Sequence, residues 1–509
     1  MTGISPTTRM VAPVAAALRR VFHSPSFWIT VLALLLAFGF LGTRGIWDPD
    51  EGRYTNVALN MLDSGDWLNP RRTDEVGHWT KPPLTYWAIA GSVAAFGQNA
   101  WSARLPSALA YLLCVWLAWR VARRLVPGSE RIAAVAYATM LFTVGAAQMI
   151  TTDYVLSACT GVAMWAFVEA RFGDSPHPRR WTALMWAAFA LAFLAKGPPA
   201  LIHLLAALVF DQLMPERRRS RVLQWSGLVI FVVLALPWYA AVIADHPGLF
   251  RHFVGDEVVN RVATNEFGRN GEWYGWLQVY APTLLLGTLP WTPALLRWAR
   301  ALPAQMRAWR NPSTREESAP ALLLALWVLL PLLVFCIARS RLPLYLLPLF
   351  LPLAVVVARQ QLQERRRIDT RWLMVWVVVL LALKFSVSLW PTHKDASQWA
   401  RAIHARAHGP VREVLFVEDM ARYGLHLHLH ASIEKLSLEP RSEPPFNQEY
   451  DETLAQELAE HEPDAVWICK QALWPQLQRR FAAQGYRARA LGTPYQRRVI
   501  FAVTPQRPR

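Results

Sequence analysis

The chain has 509 residues, 54% of them hydrophobic, with 25 Trp and only 17% charged, which is more apolar surface than one soluble core can bury. The net charge of +17 does not point to nucleic acid, because the Arg residues sit in short clusters between apolar runs, where they act as topology signals. Cys114, Cys159, Cys336 and Cys469 lie far apart, so neither a disulfide framework nor a thiolate metal site follows.

A hydrocarbon core about 30 Å thick needs roughly 20 apolar residues per helix, and this ruler predicts about eleven spans. They lie near 26–44, 104–120, 132–150, 154–171, 181–195, 198–213, 222–243, 275–296, 319–337, 342–358 and 372–390, with room for two more short ones. The first run lacks a convincing cleavage site and reads as a transmembrane helix rather than a signal peptide. Arg19-Arg20, Arg120 with Arg123-Arg124, Arg179-Arg180, Arg217-Arg218-Arg219, the 297–315 loop and Arg365-Arg366-Arg367 fall on alternate connections. That places them, and the N-terminus, on the cytoplasmic side. The segments 44–103 and 244–274, the turns at Thr151-Thr152-Asp153, Lys196-Gly197-Pro198 and 338–342, and the tail after 391 are then expected in the periplasm.

The tail alternates strand-like runs (413–417, 432–438, 465–469, 498–503) with helical ones (451–460, 474–484), as a small α/β domain does. The predicted organisation is a multi-pass α-helical membrane part over 1–390 and a soluble α/β periplasmic domain over 391–509. His426, His428 and His430 would share one face of a strand, where a solvated face is the plain reading and metal chelation the alternative.

Ionisable groups recur at every connection assigned to the outer side. Trp47-Asp48-Pro49-Asp50-Glu51-Gly52-Arg53-Tyr54 follows the first span, and Asp50 and Glu51 suit the first turn of a helix. Lys81 precedes two prolines that hold the backbone extended. Asp153, Lys196, Arg339 and Arg341 flank other spans. Such groups are costly near lipid without a partner or a task. One reading is a set of ion pairs that pins the helices. The other is a polar cavity where cations clamp an anionic headgroup, a carboxylate faces the reacting centre, and Trp47 and Trp79 shape the pocket.

Pro49-Asp50-Glu51-x-Arg53-Tyr54, Ser64-Gly65-Asp66-Trp67, Lys81-Pro82-Pro83-Leu84-x-Tyr86-Trp87 and Ala103-Arg104-Leu105-Pro106-Ser107 resemble the first loop of the ArnT-like glycosyltransferases. These include 4-amino-4-deoxy-L-arabinose lipid A transferases and, more distantly, protein O-mannosyltransferases of the GT-C membrane fold. The resemblance continues through Thr152-Asp153, Leu194-Ala195-Lys196-Gly197-Pro198, Pro237-Trp238-Tyr239, Leu289-Pro290-Trp291 and Ser340-Arg341-Leu342-Pro343-x-Tyr345. It implies a GT-C type protein that moves a sugar from polyprenyl (undecaprenyl) phosphate to a periplasm-facing acceptor, lipid A or another glycolipid.

By the same resemblance, Asp50 stands at the essential carboxylate and Asp153 at a second one. Glu51, Arg53 and Tyr54 complete the first motif. Lys81, Lys196 and Tyr345 stand near the carrier phosphate, Arg341 where relatives often carry Lys, and Arg261 at an arginine of the large periplasmic loop. The chain departs from the lipid A enzymes at Thr80 and Val258, where Glu and His can hold zinc, so no metal or other cofactor is expected. The expected partners are the lipid-linked sugar, a glycolipid acceptor and the bilayer, without nucleic acid. A periplasmic protein O-glycosyltransferase, a transporter or lipid flippase, and an inactive accessory membrane protein are the rival readings; charges at one face and no repeat speak against transport.

Overall fold

The computed structural model describes residues 24–260, 270–460 and 464–506. Arg19-Arg20 and Arg261 therefore lie outside the described residues. Among the described residues, six helices are long and apolar enough to cross a membrane: Ala100–Leu125, Thr152–Phe172, Trp225–Asp245, Ala319–Ile337, Pro343–Gln363 and Thr370–Leu389. Pro25–Phe38, Leu84–Phe96 and Pro198–Leu213 are shorter apolar helices. Tyr111, Tyr137, Phe167, Phe189 and Trp327 are among the fully buried side chains of the main core. Trp225–Asp245 and Thr370–Leu389 instead expose most of their apolar residues, as helices that face lipid do.

Two expected spans are broken. The 132–150 run divides at Met140 into Glu130–Thr139 and Leu141–Ala146. The 275–296 run divides into Gly275–Gly287 and Thr292–Ala308. Pro290 has no N–H to donate and cannot continue the first helix, while Pro293 suits the first turn of the second. The 44–103 segment, expected as a connection, carries two helices, Asp50–Ser64 and Leu84–Phe96. Asp50 and Glu51 open the first, where acidic groups complement the exposed N–H ends, and Gly65 closes it at φ 70°.

Beyond Leu389 the chain builds one six-stranded sheet, from β1 (Glu413–Val417), β2 (Ser432–Ser437), β3 (Glu452–Thr453), β4 (Ala465–Lys470), β5 (Tyr486–Ala490) and β6 (Arg498–Pro505). The strand order is β3-β2-β1-β4-β6-β5. β3, β2, β1 and β4 run parallel and β6 pairs antiparallel to both β4 and β5. β1, central and covered on both faces, is buried at every position, which explains its uninterrupted apolar run after Glu413.

The histidine triplet is not a strand. Leu425–Leu429 is a short helix closed by His430 at φ 54°, so the three imidazoles do not share a face. This helix packs the sheet region onto Asp50–Ser64, with His426 Nδ1 2.8 Å from Asn56 Oδ1 and Nε2 3.2 Å from Asp63. Asp451 receives Arg72 at 2.6 Å and the Tyr423 hydroxyl at 3.0 Å in the same interface.

Candidate functional site

Asp153 is positioned by the start of Thr152–Phe172, where the Thr151 side chain accepts a hydrogen bond from the Asp153 N–H at 3.3 Å. Lys196 is the last residue of Pro178–Lys196, and Gly197 at φ 73° turns the chain there. The Lys196 ammonium pairs with Asp153 and lies 4.5 Å from the ring centre of Tyr345, which comes from the 3₁₀ segment Pro343–Leu349. Residues scattered over nearly two hundred positions of sequence thus form one ion-and-ring cluster.

Lys196 and Tyr345 of that cluster line a cavity of about 810 Å³. Trp79, Thr80 and Lys81 line it from the 44–103 segment, together with Lys196, Ser340 and Tyr345. Most of the remaining wall is apolar, with Phe193, Leu236, Tyr239, Phe253 and Phe335 prominent. The Lys81 ammonium donates to the Thr80 carbonyl, and Trp238 Nε1 donates to Leu68 O at 2.9 Å, anchoring the segment that carries Tyr239. Apolar walls with two ammonium groups among them suit an amphiphile with an anionic head.

The remaining expected residues divide by role. Asp50 is solvent-exposed and accepts a hydrogen bond from Arg53 at 2.7 Å. Tyr54 packs 5.8 Å from Tyr86, whose ring lies 6.2 Å from His78. His78 Nε2 in turn meets the Thr80 hydroxyl at 2.9 Å. This chain of contacts connects the Asp50–Arg53 turn to the cavity wall. Burial first, then Arg53, Arg72 and Lys81, push the His78 imidazole well below its ordinary pKa, so it is neutral. Sequence reasoning missed His78; its place one residue from Thr80's motif was the only signal.

Glu51 does not reach the cavity. Its carboxylate, 3% exposed, accepts from Arg44 at 2.7 and 3.0 Å and from Arg104 at 2.9 and 3.1 Å. The N–H groups of Trp47 and Ile150 add bonds of 2.8 and 3.1 Å. Burial alone would push this carboxyl up, but Arg104 and Arg44 outweigh it and hold it at about 2. Glu51 is therefore an anchor rather than a donor ligand, and Trp47, stacked 4.2 Å from Arg44, belongs with it rather than with the pocket.

Arg341 is likewise turned away from the cavity. Its guanidinium donates to the carbonyls of Asn270, Glu272 and Cys336 at 2.8, 2.7 and 3.0 Å, tying the 270–272 segment to the turn before Tyr345. Among the described residues, the groups of three metal-capable side chains are Glu75, Glu452, Glu460 and Glu413, Glu434, Glu457, and none of these lines the cavity.

Residues 80–240 match the family described as dolichyl-phosphate-mannose-protein mannosyltransferase. An undecaprenyl phosphate-alpha-4-amino-4-deoxy-L-arabinose arabinosyl transferase of Pseudomonas aeruginosa (strain LESB58) is 33% identical over 355 residues, 66% of this chain and 60% of its own length. A second, from Pseudomonas fluorescens (strain Pf-5), is 32% identical over 392 residues, 72% of this chain and 67% of its own. The chain thus spans about 60% of the length of the first of these relatives. Among solved structures, ArnT from Cupriavidus metallidurans bound to undecaprenyl phosphate superposes with a TM-score of 0.70 at 19% identity, covering 94% of this chain and 97% of that one. Its apo form gives 0.72. The helical bundle with its C-terminal sheet is therefore the ArnT fold, that of a multi-pass membrane protein. The chain belongs to the ArnT-like branch of the GT-C glycosyltransferases.

Proposed function

We propose that this protein transfers a sugar from a polyprenyl monophosphate to an acceptor at the periplasmic face of the inner membrane. The observation that carries the reading is the largely apolar cavity that Lys81, Lys196 and Tyr345 line. A polyprenyl tail fits the apolar wall, and its phosphate fits the ammonium groups. The relatives' names supply undecaprenyl phosphate as the carrier and 4-amino-4-deoxy-L-arabinose as the sugar. Residues 1–390 are taken as the catalytic membrane part and 391–509 as a periplasmic domain.

When the anomeric C–O bond breaks, negative charge grows on the departing phosphate and positive charge on the sugar ring. Lys81 and Lys196 oppose the first, and Asp153 fixes the Lys196 ammonium against the Tyr345 ring. Asp50, a solvent-exposed carboxylate, serves as general base toward a hydroxyl acceptor; a phosphate acceptor needs only positioning. Arg53 orients Asp50, and Tyr54 seats that turn on Tyr86.

The favoured acceptor is lipid A or another glycolipid. The match of residues 80–240 to a protein mannosyltransferase family keeps a protein acceptor as the second reading. Membranes with wild-type protein and with Asp50→Asn, assayed by separate mass spectrometry of glycolipids and glycoproteins, decide both points. The expected result is a glycolipid mass shift lost in the variant at unchanged protein abundance. Full transfer by Asp50→Asn would remove Asp50 from the site, and a shift confined to protein would replace the acceptor.

A further inference from the structure

Asp48 is a carboxyl that the proposed transfer chemistry leaves without a task. It lies two residues before Asp50, is 2% exposed, and faces the sheet region rather than the cavity. Oδ1 accepts from the Gly424 N–H at 3.1 Å, while Oδ2 is buried with no hydrogen-bond partner. The backbone around it is stitched to the chain beyond the last span: Asp48 N–H donates to Lys394 O and Ala396 N–H to Ile46 O, both at 2.9 Å.

Two glycines make this approach close enough. A Cβ on Gly52 would lie 2.6 Å from the Gly424 nitrogen, and one on Gly424 would lie 2.8 Å from Ile46 Cγ2 and 3.0 Å from Asp48 Oδ2. The fit leaves little space around the carboxyl for water. A buried carboxylate with one donor and one empty oxygen is costly, whereas a protonated carboxyl needs less.

We propose that Asp48 is a positioning residue for transfer: the Gly424 turn grips its carboxyl, fixes the start of the Asp50–Ser64 helix and so sets the pose of Asp50. Closing the junction buries that carboxyl and so favours its protonated form, although the Gly424 hydrogen bond by itself favours the charged one. This deepens the transfer reading and rests on it. Burial pushes the carboxyl up to about 8; the Gly424 N–H and Arg422 oppose the rise, Glu51 adds to it and Arg53 opposes it. Those are the charges that face it, with Asp50 on its own helix, Asp419 behind Arg422, and Lys394 and Asp395 on the segment packed beside it.

The sign follows from linkage. A carboxyl that is hydrated when the junction opens loses its proton far more readily than in the closed junction, so closure weakens progressively as pH rises from 3.8 to about 8 and no further above that. Asparagine has the shape of the protonated form and does not titrate.

The experiment uses full-length protein in detergent or nanodiscs, with undecaprenyl-phosphate-linked sugar and acceptor glycolipid, from pH 6 to 9.5. Asp48→Ala is expected to lower kcat by roughly ten- to a hundredfold with donor KM little changed, as a small displacement of a reacting group does. Asp48→Asn is expected to restore kcat at pH 7 and to abolish the wild type's decline between pH 6 and 8. The positioning role is overturned if Asp48→Ala keeps wild-type kcat or if Asp48→Asn keeps the wild-type decline. Hydrogen exchange, corrected for intrinsic rates, reads the junction without turnover. Amides of 46–56 and 419–426 should lose protection in Asp48→Ala and, progressively from pH 6 to 8, in the wild type, but not in Asp48→Asn. Unchanged protection overturns the proposal. Normal exchange behaviour with no transfer from any donor would instead sink the transfer reading alone. If Asp48→Ala does not accumulate, the Asp48→Asn profile and exchange decide.

Discussion

Replacing Glu51 by Gln separates an anchor from a donor ligand. The carboxylate is 3% exposed and its two arginine partners, Arg44 and Arg104, are 8% and 1% exposed. Removing the charge leaves two buried guanidinium groups unmatched, and turns an amide N–H₂ toward donors. Breaking one buried pair costs about 3–5 kcal/mol. An independent route gives a similar figure: a carboxyl held at about 2 rather than 4.5 favours the charged form by roughly 3 kcal/mol. Against a total stability of about 5–15 kcal/mol this is a large loss. Thermal unfolding in detergent should fall by roughly 5 °C for a chain of this length. Glu51→Gln with Arg104→Met should recover part of it, because one of the unmatched charges is gone. The sign with pH is also set. Glu51 contributes stability that is present above about 4.5 and is lost as pH falls through about 2, and the Gln variant lacks that acid dependence. A Glu51→Gln protein that unfolds within a degree of wild type while donor KM rises tenfold would refute the anchor.

Lys196→Met should cut transfer by about 10²–10³-fold through loss of charge at the leaving phosphate, and, because it leaves the buried Asp153 carboxylate without its partner, should also lower the unfolding temperature by roughly 5 °C, measured side by side in one preparation. Arg341→Ala should instead lower thermal stability and leave donor affinity nearly unaltered, since its hydrogen bonds go to backbone carbonyls; a large rise in donor KM would return it to the phosphate site. In the sheet region, burial, reinforced by Glu413, Asp451, Glu457 and Glu452, pushes Glu434 up to about 9. The unfolded chain sheds this proton above about 4.5, so the site costs stability increasingly between pH 4.5 and 9; Glu434→Gln should raise the unfolding temperature at pH 8 and not at pH 4. Reporter fusions at Gly173 and Glu216 should signal from the cytoplasm and one at Ala400 from the periplasm; a periplasmic signal from either of the first two overturns the orientation.

Much of the helical part was legible because an apolar run of span length has few other uses. The expected 319–337 and 154–171 runs lie on Ala319–Ile337 and Thr152–Phe172. β1 and the start of β4 were legible too, since buried parallel strands read as short continuous apolar runs. The histidine triplet misled because Leu and His alternate with the period of a strand, while five residues are too few for a helical period to emerge. The 275–296 run misled because Pro290 breaks a helix without lowering its hydropathy.

The site was legible as a set of residue types and not as a division of labour. Lys81, Lys196 and Tyr345, far apart in sequence, line one cavity. Asp50 and Glu51, adjacent in one motif, part ways for a geometric reason: successive helical residues point about 100° apart. One therefore meets solvent, at 65% side-chain exposure, and its neighbour meets Arg104, fifty-three positions along the chain. Asp48, just before the helix, faces a third direction and takes its hydrogen bond from Gly424, 376 positions away. Partners at such separations leave no local pattern. Three carboxyls within four residues thus meet three different surroundings: Asp50 meets solvent and Arg53, Glu51 the buried guanidinium groups of Arg44 and Arg104, and Asp48 the Gly424 turn of the sheet region.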